Sequence, residues 1–437
     1  MSNYEITTYT SPLLREKYYS FLHASGLRIY VFPKKLTSTY ALFGTRYGST
    51  DNIFSTDGGK TFTEVPDGIA HFLEHKLFAN EDGSDSFEHF SAIGADANAY
   101  TSFSKTAYLF SCTENFEAAL GELLDFVTHP YFTDTSVKKE RGIIAQEIKM
   151  YDDHPSESCY YGMLRGLYEN HSVKRNICGS VESINKITPK LLYDCYGAFY
   201  NLSNMLLVVC GDVDVEDVMR MADEHLPSAA VPSALTRGAD AEESPAAHLA
   251  RVERKMKVAK PIFNIGIKDT DIPSNARQRL LKDAAMSILD EMIFARAGKL
   301  YSEMFEEGLI SPDLSYGYTM TESFAFNSIA GESKDPEAVL NRIKSHIRSL
   351  EESGLSKEDF ERGKRVMYAE FVKEFDSTEG IANNLFTFAA EGFDVFEYAD
   401  LISGVSFDFV TELFKKSFHD EYFTLSTVRP LDSADNN

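Results

Sequence analysis

The sequence predicts an α+β fold of two similar domains. Three observations carry this. The chain has 437 residues, enough for two or more buried cores. β-rich runs alternate with segments of helical periodicity in both halves. A stretch between the halves has no periodicity at all.

In the first half, "LRIYVFPK" (27–34) and "YALFGTRYGS" (40–49) are rich in β-branched and aromatic residues and read as strands. Apolar spacing predicts a helix from Gly68 to about Ala79 and a short one over 85–93. "NAYTSFS" and "TAYLFSCT" form a strand pair. From Glu114 the pattern is helical, broken near His129-Pro130 and again near His154-Pro155, where proline forbids continuation. "MLLVVCGDVD" (205–214) is a buried strand, followed by a helix to about Leu226. Residues 227–250 are small and polar, contain three prolines and read as an interdomain linker. The boundaries that follow are 1–228, a linker at 229–250, and 251–437. In the second half, "PIFNIGIK" and "FAFNSIAGES" are strands and 275–296, 335–353 and 356–375 are helices. "YFTLSTVRP" (422–430) closes this half as "MLLVVCGDVD" closes the first, which suggests a diverged duplication.

Composition narrows the function. A formal charge of −24 disfavours nucleic acid and anionic membranes, which both require a basic surface. No run of about 18 apolar residues is present and the N-terminus lacks a signal-peptide pattern. Five cysteines, odd in number and with no C-x-x-C pair, read as reduced thiols of a soluble cytoplasmic protein. There is no phosphate-binding G-x-x-x-x-G-K-[ST] loop and no G-x-S-x-G elbow.

Within "GIAHFLEHKLFAN" (68–80), His71, Glu74 and His75 form H-x-x-E-H. On a helix, positions i and i+4 share a face with Cβ atoms about 5–6 Å apart, so both imidazoles can address one point. Two imidazoles and a third ligand can hold Zn²⁺, with a carboxylate beside the open position to take a proton from water. The order inverts the commoner H-E-x-x-H. A two-histidine core cluster is the plainer alternative, although chance supplies only roughly 0.02 such motifs in a chain of this composition. Downstream, "DTSVKKERGIIAQEIKMYDDHP" (134–155) is a helix with Asp134 near its start and Pro155 ending it. Glu140 and Glu147 lie close to two full turns apart on it and share a face. Either a solvated face or an oxygen ligand fits that spacing.

H-x-x-E-H followed by E-x6-E resembles the inverted zinc motif of the pitrilysin family, which includes insulysin and the mitochondrial processing peptidase. The resemblance extends over "DGIAHFLEHKLF", "GADANAYTSF" (94–103), "ERGIIAQEI" (140–148) and "NMLLVVCGDVD" (204–214), and more loosely over the second half. More narrowly, the chain is similar to the zinc-bearing member of a paired bacterial subfamily associated with modification of elongation factor P. The resemblance implies one zinc per chain, with His71, His75 and Glu147 as ligands, Glu74 as general base and Glu140 supporting a ligand from behind. It implies that Asn98, Ala99, Tyr100 and Thr101 lie on an edge strand that pairs with an extended peptide. It also implies two homologous domains, each a mainly antiparallel sheet with helices packed on it, together forming half of a peptidase chamber.

One departure concerns an arginine and a tyrosine that the family carries around a "G-L" turn in its second half. Here the stretch is "LYSEMFEEGLISPDLSYGYTM" (300–320), with Phe305 or Glu306 at the arginine position and Ser311 at the tyrosine position. Tyr316 and Tyr318 are near but shifted. The expected active form is therefore a heterodimer with a homologous non-zinc subunit that supplies the missing pair, or else a homodimer. A non-degradative processing or assembly factor for modification of a translation factor, with zinc structural, is the alternative; a structural site has no need of Glu74 and usually closes its fourth position.

Overall fold

The computed structural model describes residues 4–432. Its contacts divide the chain into two compact units. The first comprises the chain up to Ile148, Asn176–Ala239 and Val372–Glu397; the second comprises Lys149–Arg175, Asp240–Phe371 and the chain from Tyr398 on.

The first unit contains β1 (Thr7–Ser11), β2 (Glu16–Leu22), β3 (Arg28–Pro33), β4 (Thr39–Thr45), β5 (Ile53–Ser55), β6 (Thr63–Glu64), β7 (Asp96–Thr101), β8 (Thr106–Cys112), β9 (Met205–Gly211) and β10 (Thr236–Arg237). Seven of these form one sheet in the order β1-β2-β3-β9-β4-β8-β7. Every neighbouring pair in it is antiparallel except β3 with β9. β4 and β9 are almost wholly buried apolar strands, as a central position demands. Cross-strand partners share a face. Phe43 is opposite Tyr108, and Tyr108 packs edge-on against Phe126 of helix α3 (Phe116–Thr128), so that face carries helices. Gly44 points the other way, where a Cβ would lie 2.3 Å from Phe386 Cζ. Phe386 belongs to the helix Thr378–Ala390, which packs on β9 and β4.

The second unit has β11 (Arg251–Met256), β12 (Ile262–Asp269), β13 (Ser315–Met320), β14 (Ala325–Glu332) and β15 (Phe423–Pro430), in the order β11-β15-β12-β14-β13. Only β11 and β15 run parallel. This repeats β3-β9-β4-β8-β7 strand for strand, with the parallel pair in the same place. The repeat reaches single residues. Gly266 of β12 faces Met163, whose Sδ would lie 2.5 Å from an added Cβ. Met163 comes from the helix Pro155–Leu167, which packs on β15, β12 and β11.

The two units therefore exchange helices. Pro155–Leu167 belongs to the first half of the sequence but covers the sheet of the second unit. Thr378–Ala390 belongs to the second half but covers the sheet of the first. This departs from the contiguous boundaries 1–228 and 251–437. Each of these helices is apolar enough to cover a sheet, and helical periodicity does not say which sheet it covers.

The expected linker is also built into the units. In the first, β10 pairs with β5, which pairs with β6, and Arg237 Nε donates to Asp51 Oδ1 at 2.8 Å. In the second, Asp240 accepts from the Ser172 amide at 2.7 Å. Glu243 accepts from the amides of Asn170 and His171 and from Lys268 Nζ at 2.8 Å. The Lys268 side chain is fully buried, so the carboxylate of Glu243 is held by a desolvated ion pair. Among the described residues no helix is long and apolar enough to cross a membrane.

Candidate metal centre

Helix α1 spans Ile69–Leu77. It begins after Gly68, whose φ of 87° favours glycine. A Cβ there would lie 2.4 Å from the Cys178 carbonyl oxygen, so the site also needs glycine for space. Ile69, Ala70, Phe72, Leu73 and Leu77 are buried and hold the helix down. His71 and His75 are thereby fixed one turn apart, with ring centroids 4.6 Å from one another.

The third residue comes from helix α4 (Asp134–Asp152), anchored by Val137, Ile144 and Ile148. α4 ends at Asp152. Pro155 does not end it but starts the next helix, at a position where its missing N–H costs nothing. Glu147 Oε1 lies 3.5 Å from His71 Nε2, and Glu147 Oε2 lies 3.3 Å from His75 Nε2. On the far side of the second ring, His75 Nδ1 is 3.2 Å from Glu140 Oε1. One ligand atom from each of His71, His75 and Glu147 lies within 4.8 Å of the other two.

This arrangement fits zinc. Ligands about 2.0–2.1 Å from a tetrahedral zinc are separated from each other by about 3.3–3.4 Å, close to the distances seen. Among the described residues Glu147 Oε2 is buried without a hydrogen-bond partner, although the His75 ring faces it. Two nitrogens and a carboxylate oxygen are a donor set typical of a hydrolytic zinc site, with one position left for water.

The electrostatics point the same way. Burial lowers the basicity of His75, but Glu140 and Glu147 outweigh it and lift the group to about 10. The neighbouring imidazoles of His71 and His75 hold the Glu147 carboxyl well below the usual range. Burial pushes Glu74 up, against the pull of His71 and Thr101. Three carboxylates thus surround two imidazoles and demand positive charge, which a dication meets in place of protons.

Glu74 is itself buried and its Oε2 accepts a hydrogen bond from Thr101 Oγ1. Thr101 is the last residue of β7, which closes one end of the sheet and, among the described residues, leaves its outer edge unpaired in that sheet. Asn98, Ala99 and Tyr100 precede it along this edge. Thr101, expected only as part of a peptide-pairing edge, therefore also touches the expected base. No spacing rule joins residues 74 and 101.

A further neighbour had no sequence signal at all. Cys178 Sγ lies 3.8 Å from His71 Nε2, brought there by the loop that receives Gly68. Cys112 and Cys210, two of the five cysteines expected as reduced thiols, are buried; burial raises both, Cys210 to about 12.

In the second unit, Phe305 is exposed and the Ser311 amide donates to Glu332 O at 3.2 Å. Tyr316 and Tyr318 lie on β13. Their hydroxyls donate to Glu291 Oε2 at 2.6 Å and to Asp269 Oδ2 at 2.8 Å, carboxylates of the same unit.

The chain is similar to known proteins. Residues 61–180, which hold the whole cluster, match the insulinase family (peptidase family M16), and residues 186–367 match the inactive domain of peptidase M16. The chain is 37% identical over 421 residues to the zinc protease YmfH of Bacillus subtilis, covering 95% of this chain and 97% of that one. A zinc protease of Rickettsia bellii is 26% identical over 324 residues, covering 72% and 75%. Among solved structures, an M16-like peptidase from Alicyclobacillus acidocaldarius superposes with a TM-score of 0.90 at 33% identity over 99% of both chains. A protease from Helicobacter pylori shares the fold, with a TM-score of 0.78 at 18% identity over 95% and 100%.

Proposed function

Because the chain belongs to the insulinase (M16) family of peptidases, we propose that it is a zinc-dependent endopeptidase acting on short or unfolded peptides. The observation that carries this reading is the convergence of His71 Nε2, His75 Nε2 and Glu147 on one point, with the Glu74 carboxylate on the same helix. His71, His75 and Glu147 hold the metal. Bound zinc supplies Lewis acidity towards water and the scissile carbonyl. Glu74 takes the proton of the attacking water at its carboxylate and returns it to the leaving amine. Glu140 holds His75 at Nδ1, which keeps Nε2 free to ligate and fixes the ring. The outer edge of β7, through Asn98, Ala99, Tyr100 and Thr101, binds the substrate backbone as an added strand, so selection depends weakly on sequence.

The active form pairs this chain with a homologous subunit that lacks zinc, which supplies the arginine and tyrosine and completes a closed chamber. Supporting this, the nearest tyrosines, Tyr316 and Tyr318, are committed to Glu291 and Asp269.

The test is metal content and cleavage of an unfolded-peptide library by one purified sample, with and without such a subunit. Expected are about one zinc per chain and cleavage that requires the partner. Glu74→Gln should retain zinc and lose several powers of ten in kcat, on the order of 10³–10⁵. Zinc binding without cleavage in either condition would sink the peptidase reading and leave a structural metal. Cleavage by the chain alone at ordinary enzymatic rates, about 1–10³ s⁻¹, would remove the need for a partner.

A further inference from the structure

Thr101 connects two parts of the site that the proposed reaction uses separately. Its backbone belongs to β7, and its side chain reaches the carboxylate of Glu74 on α1. We infer that Thr101 is a positioning residue for the general base, so that the strand that docks the peptide also sets the direction in which Glu74 points. The inference rests on the peptidase reading above.

The direction of the hydrogen bond follows from counting protons. A threonine hydroxyl has one proton to give. Thr101 lies opposite Thr106 in the β7–β8 register, with the two Oγ1 atoms 3.3 Å apart. Thr106 is fully buried and its hydroxyl donates to the Tyr47 carbonyl at 2.8 Å. Its proton is committed, so towards Thr101 it can only accept. Of the acceptors left to Thr101, the Glu74 carboxylate is the shorter and the charged one, and a charge-assisted bond is roughly twice as strong as a neutral one. Thr101 therefore gives its proton to Glu74.

The geometry is held on both sides. Thr101 closes β7 at a tight turn in which the Ser102 amide donates to Lys105 O at 2.7 Å. A β-branched side chain there has few χ1 choices. On the other side, α1 packs against β7 and is pinned by its buried residues. A glutamate has three side-chain torsions and no intrinsic reason to keep its carboxylate beside the ligand cluster. Thr101 supplies that reason without touching the metal ligands, and a carboxylate held before the peptide arrives has no ordering cost to meet during the reaction.

Three variants test this in the zinc-loaded protein with its partner subunit. Thr101→Val keeps shape and strand preference and removes only the hydroxyl. It should retain zinc and lower kcat about 10- to 100-fold, the worth of one hydrogen bond to a charged group, while KM stays within about twofold. Thr101→Ser keeps the donor and should recover most of kcat. Thr106→Val loses the bond to the Tyr47 carbonyl but leaves the Thr101 donor, and should cost less than Thr101→Val. The inference falls if Thr101→Val retains the full kcat, if its defect is confined to KM as loss of peptide pairing would make it, or if Thr101→Ser is no better than Thr101→Val. If the unaltered protein cleaves nothing, the peptidase reading fails by itself. Crystal structures of zinc-loaded wild type and Thr101→Val then decide the positioning claim independently: a displaced Glu74 carboxylate in the variant supports it, and an unmoved one overturns it.

Discussion

At the scale of single residues, the candidate metal centre is decided by which nitrogen or oxygen faces where. Both imidazoles turn Nε2 towards Glu147, and Glu140 sits behind the second ring on Nδ1. Glu147→Ala should therefore strip zinc under dialysis conditions in which the wild type retains it. Glu140→Gln should weaken zinc about 10- to 100-fold, as loss of an outer carboxylate partner does elsewhere. Competition with a chromogenic chelator measures both, and equal affinities in Glu140→Gln and wild type would remove Glu140 from the site. The pair His71–His75 was legible in the sequence because four residues on a helix always share a face. The contacts of Thr101 with Glu74 and of Cys178 with His71 were not, because those distances are set by a strand edge and a loop that no local pattern encodes.

At the scale of elements, strands and helices were legible where periodicity was strong, as in β4, β9, β12 and α1. β1, β2, β11 and β13 were not, being edge or near-edge strands whose mixed exposure gives no clean apolar run. Helix-to-sheet fit depends on small residues at two equivalent places. Gly44→Ala puts a methyl group against the Phe386 ring and should cost about 1–3 kcal/mol by overpacking. Adding Phe386→Leu should return part of that in denaturant unfolding. A buried acid gives a second test. Asp290, in the helix Ala276–Phe294, accepts from Asn327 Nδ2 with both oxygens, at 2.7 and 2.9 Å. Burial pushes its carboxyl up to about 8 despite the Asn327 amide, whereas an unfolded aspartate sits near about 3.9. Between those values the folded chain keeps a proton that the unfolded chain has lost, so this group lowers stability increasingly as pH rises from about 4 to about 8. Asp290→Asn should gain in Tm relative to wild type as pH is raised from about 5 to about 8.5. A Tm difference that does not change with pH would contradict the assignment.

At the scale of the whole molecule, the exchanged helices make the halves of the sequence unequal to the folding units. Residues 1–239 alone lack Thr378–Ala390, the cover for the β4–β9 face. That fragment should aggregate or unfold without cooperativity, because the exposed apolar face has no other partner. Fusing Val372–Glu397 to it through a flexible spacer should restore a cooperative transition by circular dichroism. A cooperative, soluble 1–239 fragment would instead favour the contiguous boundary near 228.

The sequence by itself determined the fold class, most of the strands and helices, and the residues His71, Glu74, His75, Glu140 and Glu147 as candidates, because helical and strand periods are local and a spacing of four or seven residues has a fixed geometric meaning. Tertiary structure decided which helix covers which sheet, that Glu147 faces both imidazoles while Glu140 faces only one, that the linker carries a strand and buried carboxylate contacts, and that Thr101 reaches Glu74. Each of those depends on where distant segments come to rest, and burial and hydrogen-bond satisfaction choose that over the whole chain rather than within any window of it.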